Sequence, residues 1–225
     1  MTGDGRAGAI RVAVVTGGHS FDVPDFHRLF RSLRDVEACI QHMDDFASSP
    51  EEVRRAYDVV CFYHWLLETP TDDGLPWYCG KPRTALEALG ETDQGILVLH
   101  HAILAYPLWP LWDELVGIAE RSFQFHHGQQ LHVEVAAADH PITRGLSSWD
   151  VTDETYDMAD AREGSEILLT VDHPRSMKTI AWTRTFRNSR VFCLELGHDK
   201  VAYADSNFRE VLRRGIVWCA RRKRC

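Results

Sequence analysis

The chain has 225 residues, 26% of them charged and 44% hydrophobic, with a formal net charge of −8. That length suits one domain with a sizeable core, and the negative balance argues against nucleic acid as a partner. No apolar run approaches the roughly 18 residues that cross a bilayer, and the opening MTGDGRAGA lacks the apolar stretch of a secretory signal. Residues 1–10 are therefore expected to be a flexible leader and residues 11–221 a single domain. The six cysteines form no CxxC pair, as in a reduced, cytoplasmic protein. The basic RRKRC at the end reads as a solvated helix terminus.

RVAVVT (Arg11–Thr16) reads as a fully buried strand closed by Gly17 and Gly18. Asp22 or Asp25 then caps a helix that puts Phe26, Leu29, Phe30 and Leu33 on one face. EACIQHM (Glu37–Met43) is a second strand, and Ser48 or Ser49 with Pro50 opens a short helix, PEEVRRA. YDVVCFYHW (Tyr57–Trp65) is the third strand, KPRTALEALG (Lys81–Gly90) a helix stopped by its glycine, and GILVLHH (Gly95–His101) the fourth strand. This βαβαβαβ rhythm with near-continuous apolar strands implies a parallel sheet covered on both faces. The rhythm lapses between about Arg121 and Ala161, where LHVEVA (Leu131–Ala136) is a strand of an antiparallel addition. EILLTV (Glu166–Val171), KTIAWT (Lys178–Thr183) and RVFCLEL (Arg190–Leu196) follow, and a helix from about Asn207 to Arg221 closes the chain.

Open α/β sheets bind ligands beyond the carboxyl ends of their strands. A histidine stands at that edge after each of four buried strands: His19, His64, His100 and His198. Neighbouring strands lie about 4.8 Å apart, so these imidazoles can converge for proton transfer or metal binding. Period two lets only one of His100 and His101 face the site, and His101 reads as the start of the loop. DETYDM (Asp153–Met158) reads as an irregular acidic loop from which Glu154 supplies the anion that a site of imidazoles lacks, with Tyr156 beside it. Asp199 is placed to orient an imidazole. Trp65 stands at the mouth, where an aromatic face suits a sugar ring. FHHGQQ (Phe125–Gln130) reads as an exposed loop and HPITRGL (His140–Leu146) as a chain reversal. GxSxG and Walker A are missing, and no GxGxxG follows any of these strands.

TGGHSFD, YHW, GILVLHHAI, HPITRGL, DETYDM, IAWTR and above all RVFCLELGHDKVAYADSNFREVLRRGIVWCA resemble the ThuA-like (trehalose utilisation) family from about Arg11 to Ala220. The resemblance implies a flavodoxin-like three-layer α/β sandwich with a mostly parallel central sheet, as in class I glutamine amidotransferases. Those enzymes keep a cysteine at the elbow after a central strand. His100 stands at that place here, which speaks against glutaminase chemistry. The family is associated with sugar utilisation, notably of disaccharides oxidised to keto-sugars, and its motif residues carry over to His19, His64, His100, Glu154 and His198.

The expected function is thus action on a sugar or keto-sugar by proton transfer, elimination or hydrolysis. His100, His198 and Glu154 are the expected catalytic groups, and Trp65, Tyr156 and Asp199 the substrate contacts. A divalent metal such as zinc is the one cofactor in view, held by His19 and His64 with His100, His198 or Glu154. The expected partner is a small-molecule carbohydrate, with no nucleic acid or membrane, and with a homo-oligomer open. Two alternatives stand beside this: a non-catalytic sugar- or metabolite-binding domain, and a degenerate amidotransferase-like partner subunit.

Overall fold

The computed structural model describes residues 8–221, so most of the expected leader and the last four residues of RRKRC lie outside the described residues. Ile10, assigned from sequence to the leader, already pairs with Val36 in the first strand. Nine strands form one sheet. Five of them are β1 (Ile10–Gly17), β2 (Val36–His42), β3 (Val59–His64), β4 (Gly95–Leu99) and β9 (Ser189–Leu194), joined by four parallel pairings in the order β2-β1-β3-β4-β9. The other four are β5 (Gln124–Val135), β6 (Trp149–Asp157), β7 (Glu166–Val171) and β8 (Thr179–Phe186), which continue the sheet from β9 as β8-β7-β5-β6 in antiparallel pairings. The expected mostly parallel sheet is therefore a mixed one. The cause is the middle of the chain, where FHHGQQ and DETYDM belong to the long strands β5 and β6 rather than to loops.

Helices cover the parallel half on both faces. α1 (Val23–Ser32), α6 (Lys200–Ala204) and α7 (Ser206–Cys219) lie on one side, where Phe26, Leu29, Phe208, Leu212 and Ile216 pack against Val12, Val14, Tyr63 and Leu97. On the other side are α2 (Met43–Ser48), α4 (Pro82–Glu87) and α5 (Pro110–Val116). Their Phe46, Leu86 and Trp112 meet Ala13, Val15, Phe62 and Val98. The short α3 (Glu51–Arg54) buries nothing. Adjacent strand residues go to opposite layers, which is why the central strands read as unbroken apolar runs. Asp22 caps α1 by accepting from the Asp25 amide at 3.1 Å, as one of the two sequence candidates.

Two boundaries differ from the sequence reading in ways that bear on the site. Met43 opens α2, because His42 caps it through Nδ1 and the Asp44 amide. β4 ends at Leu99, and His100–Leu104 is a 3₁₀ turn rather than the end of a strand. His100 holds φ at 53°. This left-handed conformation is uncommon for a residue with a Cβ and clusters at functional sites.

Candidate functional site

The chain turns sharply at His100 and drops its side chain, fully buried, behind the carboxyl edge of the sheet. His100 Nδ1 lies 2.6 Å from the Glu195 carbonyl oxygen. A carbonyl only accepts, so Nδ1 carries a proton and Nε2 is left to face the other groups of the site. Around Nε2 stand the Tyr156 hydroxyl at 2.7 Å, His198 Nδ1 at 3.1 Å and Glu154 Oε1 at 3.4 Å. His198 Nδ1 is 3.5 Å from the same Glu154 oxygen. The other carboxylate oxygen, Oε2, meets His127 Nδ1 at 2.6 Å.

Glu154 and Tyr156 come from β6, the strand at the far end of the sheet order, with three strands between it and β9. Their two-residue spacing puts both on one face. Two buried acids bring that strand to His100. Glu195 Oε1 accepts the Tyr156 amide at 3.1 Å. The Asp153 carboxylate accepts the amides of Gly197 at 2.6 Å, His198 at 3.1 Å and Glu154 at 2.8 Å. On the helix side, Tyr63 donates to the backbone carbonyls of Gly197 and His198, each at 3.1 Å, and also lies 2.8 Å from the Tyr203 hydroxyl. The loop that carries His198 is thus fixed from both sides.

Burial sets much of the electrostatics. It would raise the pKa of Glu154, but the His100 hydrogen bond and charge, with His198 and Tyr156, outweigh it and hold this carboxyl below its ordinary value. Burial pushes Asp153 up to about 6 against the pull of His100 and of its three amides. Glu195 is raised well above the carboxylate range by burial and by Asp153 beside it. Burial, then the neighbouring His100, lowers His198. Burial also lowers His19, offset in part by the Ser20 backbone, and depresses His101 strongly, with His100 and His19 adding to it.

A cavity of about 150 Å³ opens in front of this cluster. His19 and Trp65 line it, with Leu104 and Phe123, and Glu154 and Tyr156 face it from the cluster. Of the residues chosen from sequence, His19, Trp65, His100, Glu154, Tyr156 and His198 come together here.

Two do not. The His64 side chain points to the opposite face of the sheet, fully buried among Phe62, Tyr106 and Trp112 with ring centroids 5.1–5.5 Å away. The expected pairing of His64 with His19 as metal ligands is corrected by the strand's alternation, which gives the cavity side to Tyr63. Asp199 is exposed and caps α6 through the Val201 amide at 2.7 Å, so it acts on His198 through its charge and not by a hydrogen bond. His101 is a correction in the other direction: it lies on the cavity wall, 4.5 Å from His19 between ring centroids. The 3₁₀ turn rather than a strand decides this, since period two does not apply to it. His127, Asp153 and Glu195 were missed. His127 reaches Glu154 because β5 changes register between His126 and Gln129, and a bulge re-aims side chains in a way that no periodicity reveals.

An α/β sheet with a helix-covered parallel half, with His100 at the turn after a central strand, is a fold similar to that of glutamine amidotransferase-like structures. None of the five free cysteines among the described residues lines the cavity. The chain belongs to the ThuA family, described as trehalose utilisation, whose model matches residues 11–219. A ThuA-like protein from Bacteroides uniformis superposes with a TM-score of 0.72 at 20% identity, over 95% of this chain and 92% of that one. A second, from Parabacteroides merdae, gives 0.71 at 19%, over 94% and 90%. A glutamine amidotransferase from Thermotoga maritima shares the fold with a TM-score of 0.52 at 10% identity, over 94% and 98%. No curated protein matches the sequence.

Proposed function

We propose that the protein is an enzyme of carbohydrate utilisation that moves a proton at a carbon beside the carbonyl of a sugar or keto-sugar. The observation that carries this reading is the set of groups converging on His100 Nε2: a hydroxyl, a second imidazole and a carboxylate within 3.4 Å. The family description, trehalose utilisation, supports the substrate class.

The three donors His100 Nε2, His198 Nδ1 and Glu154 Oε1 also fit a divalent cation. All lie within 4.8 Å of one another. Their separations of 3.1, 3.4 and 3.5 Å match ligand atoms that sit about 2.1 Å from a tetrahedral ion and so about 3.4 Å apart. The Glu195 carbonyl holds the far nitrogen of His100, as the outer partner of a ligating imidazole does. His19 and His64, the pair expected from sequence, are not part of this set. A zinc ion on the three donors would supply a Lewis acid for the carbonyl oxygen and leave a fourth position open.

The chain's own groups do the rest. His19, on the cavity wall 5.9 Å from His198 between centroids, is kept neutral by burial and accepts the proton from carbon, whose electron pair passes to the carbonyl oxygen as an enolate. The Tyr156 hydroxyl, its pKa raised well above the ordinary value by burial and then by Glu154, stays protonated and donates to developing negative charge. Glu195 and Asp153 hold these groups in place. A cytoplasmic location completes the reading and is supported by the free thiols at Cys39, Cys61, Cys79, Cys193 and Cys219.

The test is incubation of the zinc-loaded protein with a panel of 3-keto-disaccharides in D₂O, followed by proton NMR. Deuterium uptake beside the carbonyl, isomerisation or cleavage is expected, slowed by about 10²-fold or more in His19→Gln. A zinc-loaded wild type that leaves every member of the panel unchanged refutes the enzyme reading.

A further inference from the structure

The shape and lining of the cavity limit the size and charge of the molecule it accepts, given the sugar reading of the site but independently of its reaction. A cavity of about 150 Å³ admits a benzene-sized ring, whereas pockets that bury drug-sized ligands measure about 300 Å³ or more. At about 150 Å³ this one holds a single six-membered ring and not two. Its walls divide by chemistry. Leu104 and Phe123 give an apolar floor, and Glu154 is the one carboxylate among the described residues that faces it. No lysine or arginine of the described residues lines it, so a phosphate ester would meet a carboxylate and no counter-charge.

The opposite wall carries polar groups that the protein leaves unsatisfied. Trp65 Nε1, His19 Nδ1 and both ring nitrogens of His101 are buried without a hydrogen-bond partner among the described residues. The His101 residue is only 3% exposed; away from the cavity it meets the backbone of His64 and the rings of Tyr63 and His100, 4.4 and 5.2 Å off between centroids. Buried polar groups are otherwise almost always paired. Three such side chains on one small cavity mark where ligand hydroxyls belong. At the rim Phe125 is 55% exposed, an apolar face beside the opening.

We infer that the cavity takes one neutral, unphosphorylated pyranose-sized ring, its hydroxyls met by Trp65 and His101 and its C–H face laid on Phe123. Of a disaccharide it buries only the terminal unit, and the second ring stays outside against Phe125. Recognition is of a monosaccharide unit, whatever is attached to it.

Isothermal titration tests this with methyl pyranosides of the gluco, galacto, manno and 3-keto-gluco series, the matching disaccharides including trehalose, and glucose 6-phosphate. The best methyl pyranoside and its disaccharide are expected within about threefold of each other, and the phosphate ester at least about tenfold weaker. Trp65→Phe keeps the ring and removes the donor, so it weakens binding by about five- to tenfold with the zinc content unchanged; His101→Leu does the same from the other side. The inference is overturned if no pyranoside binds at ~50 mM, if a disaccharide binds more than tenfold tighter than its monosaccharide, if the phosphate ester is preferred, or if both variants bind as the wild type does. Binding as expected with no turnover of any keto-sugar removes the proposed reaction and leaves this inference. Turnover with a strong disaccharide preference removes this inference and leaves the reaction.

Discussion

His64 offers a prediction whose size follows from its surroundings. The ring is fully buried among Phe62, Tyr106 and Trp112, and neither nitrogen has a hydrogen-bond partner among the described residues. Burial, with His42 adding to it, lowers its pKa from 6.5 to about 3. His64 is thus neutral in the fold, while in the unfolded chain it takes up a proton as pH falls through about 6.5. The unfolded state binds more protons between these two values, so the stability present above pH 6.5 is lost on the way down to pH 3. His64→Leu keeps an apolar group of similar size and removes the titration. The variant should match the wild type within about 1 kcal/mol at pH 7.5, because loss of two unpaired nitrogens offsets loss of aromatic contacts. Relative to that baseline, it should gain about 1.4 kcal/mol at pH 5.5 and about 2.7 kcal/mol at pH 4.5. Urea unfolding at pH 7.5, 6.5, 5.5 and 4.5, with unchanged m-values, measures the difference directly. A difference that stays constant across this range would show that His64 titrates in the fold like an exposed histidine and would refute its buried, non-ligating placement.

Three further outcomes are expected. His100→Ala, Glu154→Gln and His198→Ala should each cut zinc affinity by about 100-fold or more, with His64→Leu unaffected; competition with a chromogenic chelator reads this, and equal affinities across the set remove the metal reading. Asp153→Asn places an amide where three backbone N–H groups donate, and should cost about 2–4 kcal/mol in urea unfolding; a cost below about 0.5 kcal/mol would mean the β6 contact is not structural. Gly18 has φ of 73°, and a Cβ there would overlap the Trp65 carbonyl. Gly18→Ala should therefore destabilise by about 1–3 kcal/mol and weaken sugar binding by moving Trp65; titration and thermal melts that match the wild type would contradict this close approach.

The parallel half of the sheet was legible because its strands are buried on both faces and its helices carry punctuation that local chemistry dictates: Asp22 as a cap, Pro82 in a first turn, Gly90 after the end. The edge histidines were legible for the same reason, since the carboxyl end of a buried strand is a place and not a pattern. Side-chain direction was not. His64 and His100 read alike in sequence. One completes the alternation of a strand and falls to the far face, while the other follows the strand with φ at 53° and turns into the site. The antiparallel half was harder because β5 and β6 carry histidines, glutamines and acids in place of apolar alternation, with a change of register in the middle. Glu154 and Tyr156 lie beside the imidazoles, but a strand delivers them where the sequence reads as a loop.

That strand explains how an amidotransferase-like sheet acquires a different site. In the sheet order β6 is an edge, and an unpaired edge is a liability. Its outer groups are met locally: the Met177 amide donates to the Tyr156 carbonyl at 2.6 Å, the Thr155 hydroxyl donates to the Arg175 carbonyl at 2.5 Å, and the Tyr156 amide goes to Glu195. The last of these reaches back over three strands to the residue that follows β9, so the antiparallel half curls until its edge touches the parallel half. Glu195 is the hinge point of the arrangement. Its carbonyl fixes the tautomer of His100 and its carboxyl fixes the height of Tyr156, so one buried residue sets both sides of the 2.7 Å contact between them. Held above its ordinary pKa by burial and by Asp153, the Glu195 side chain is a neutral acid that accepts one amide and adds no charge behind the imidazole. A glutamine satisfies the same geometry and an alanine does not. The curl, and with it the meeting of Glu154 with His198, therefore depends on a hydrogen bond and not on a charge.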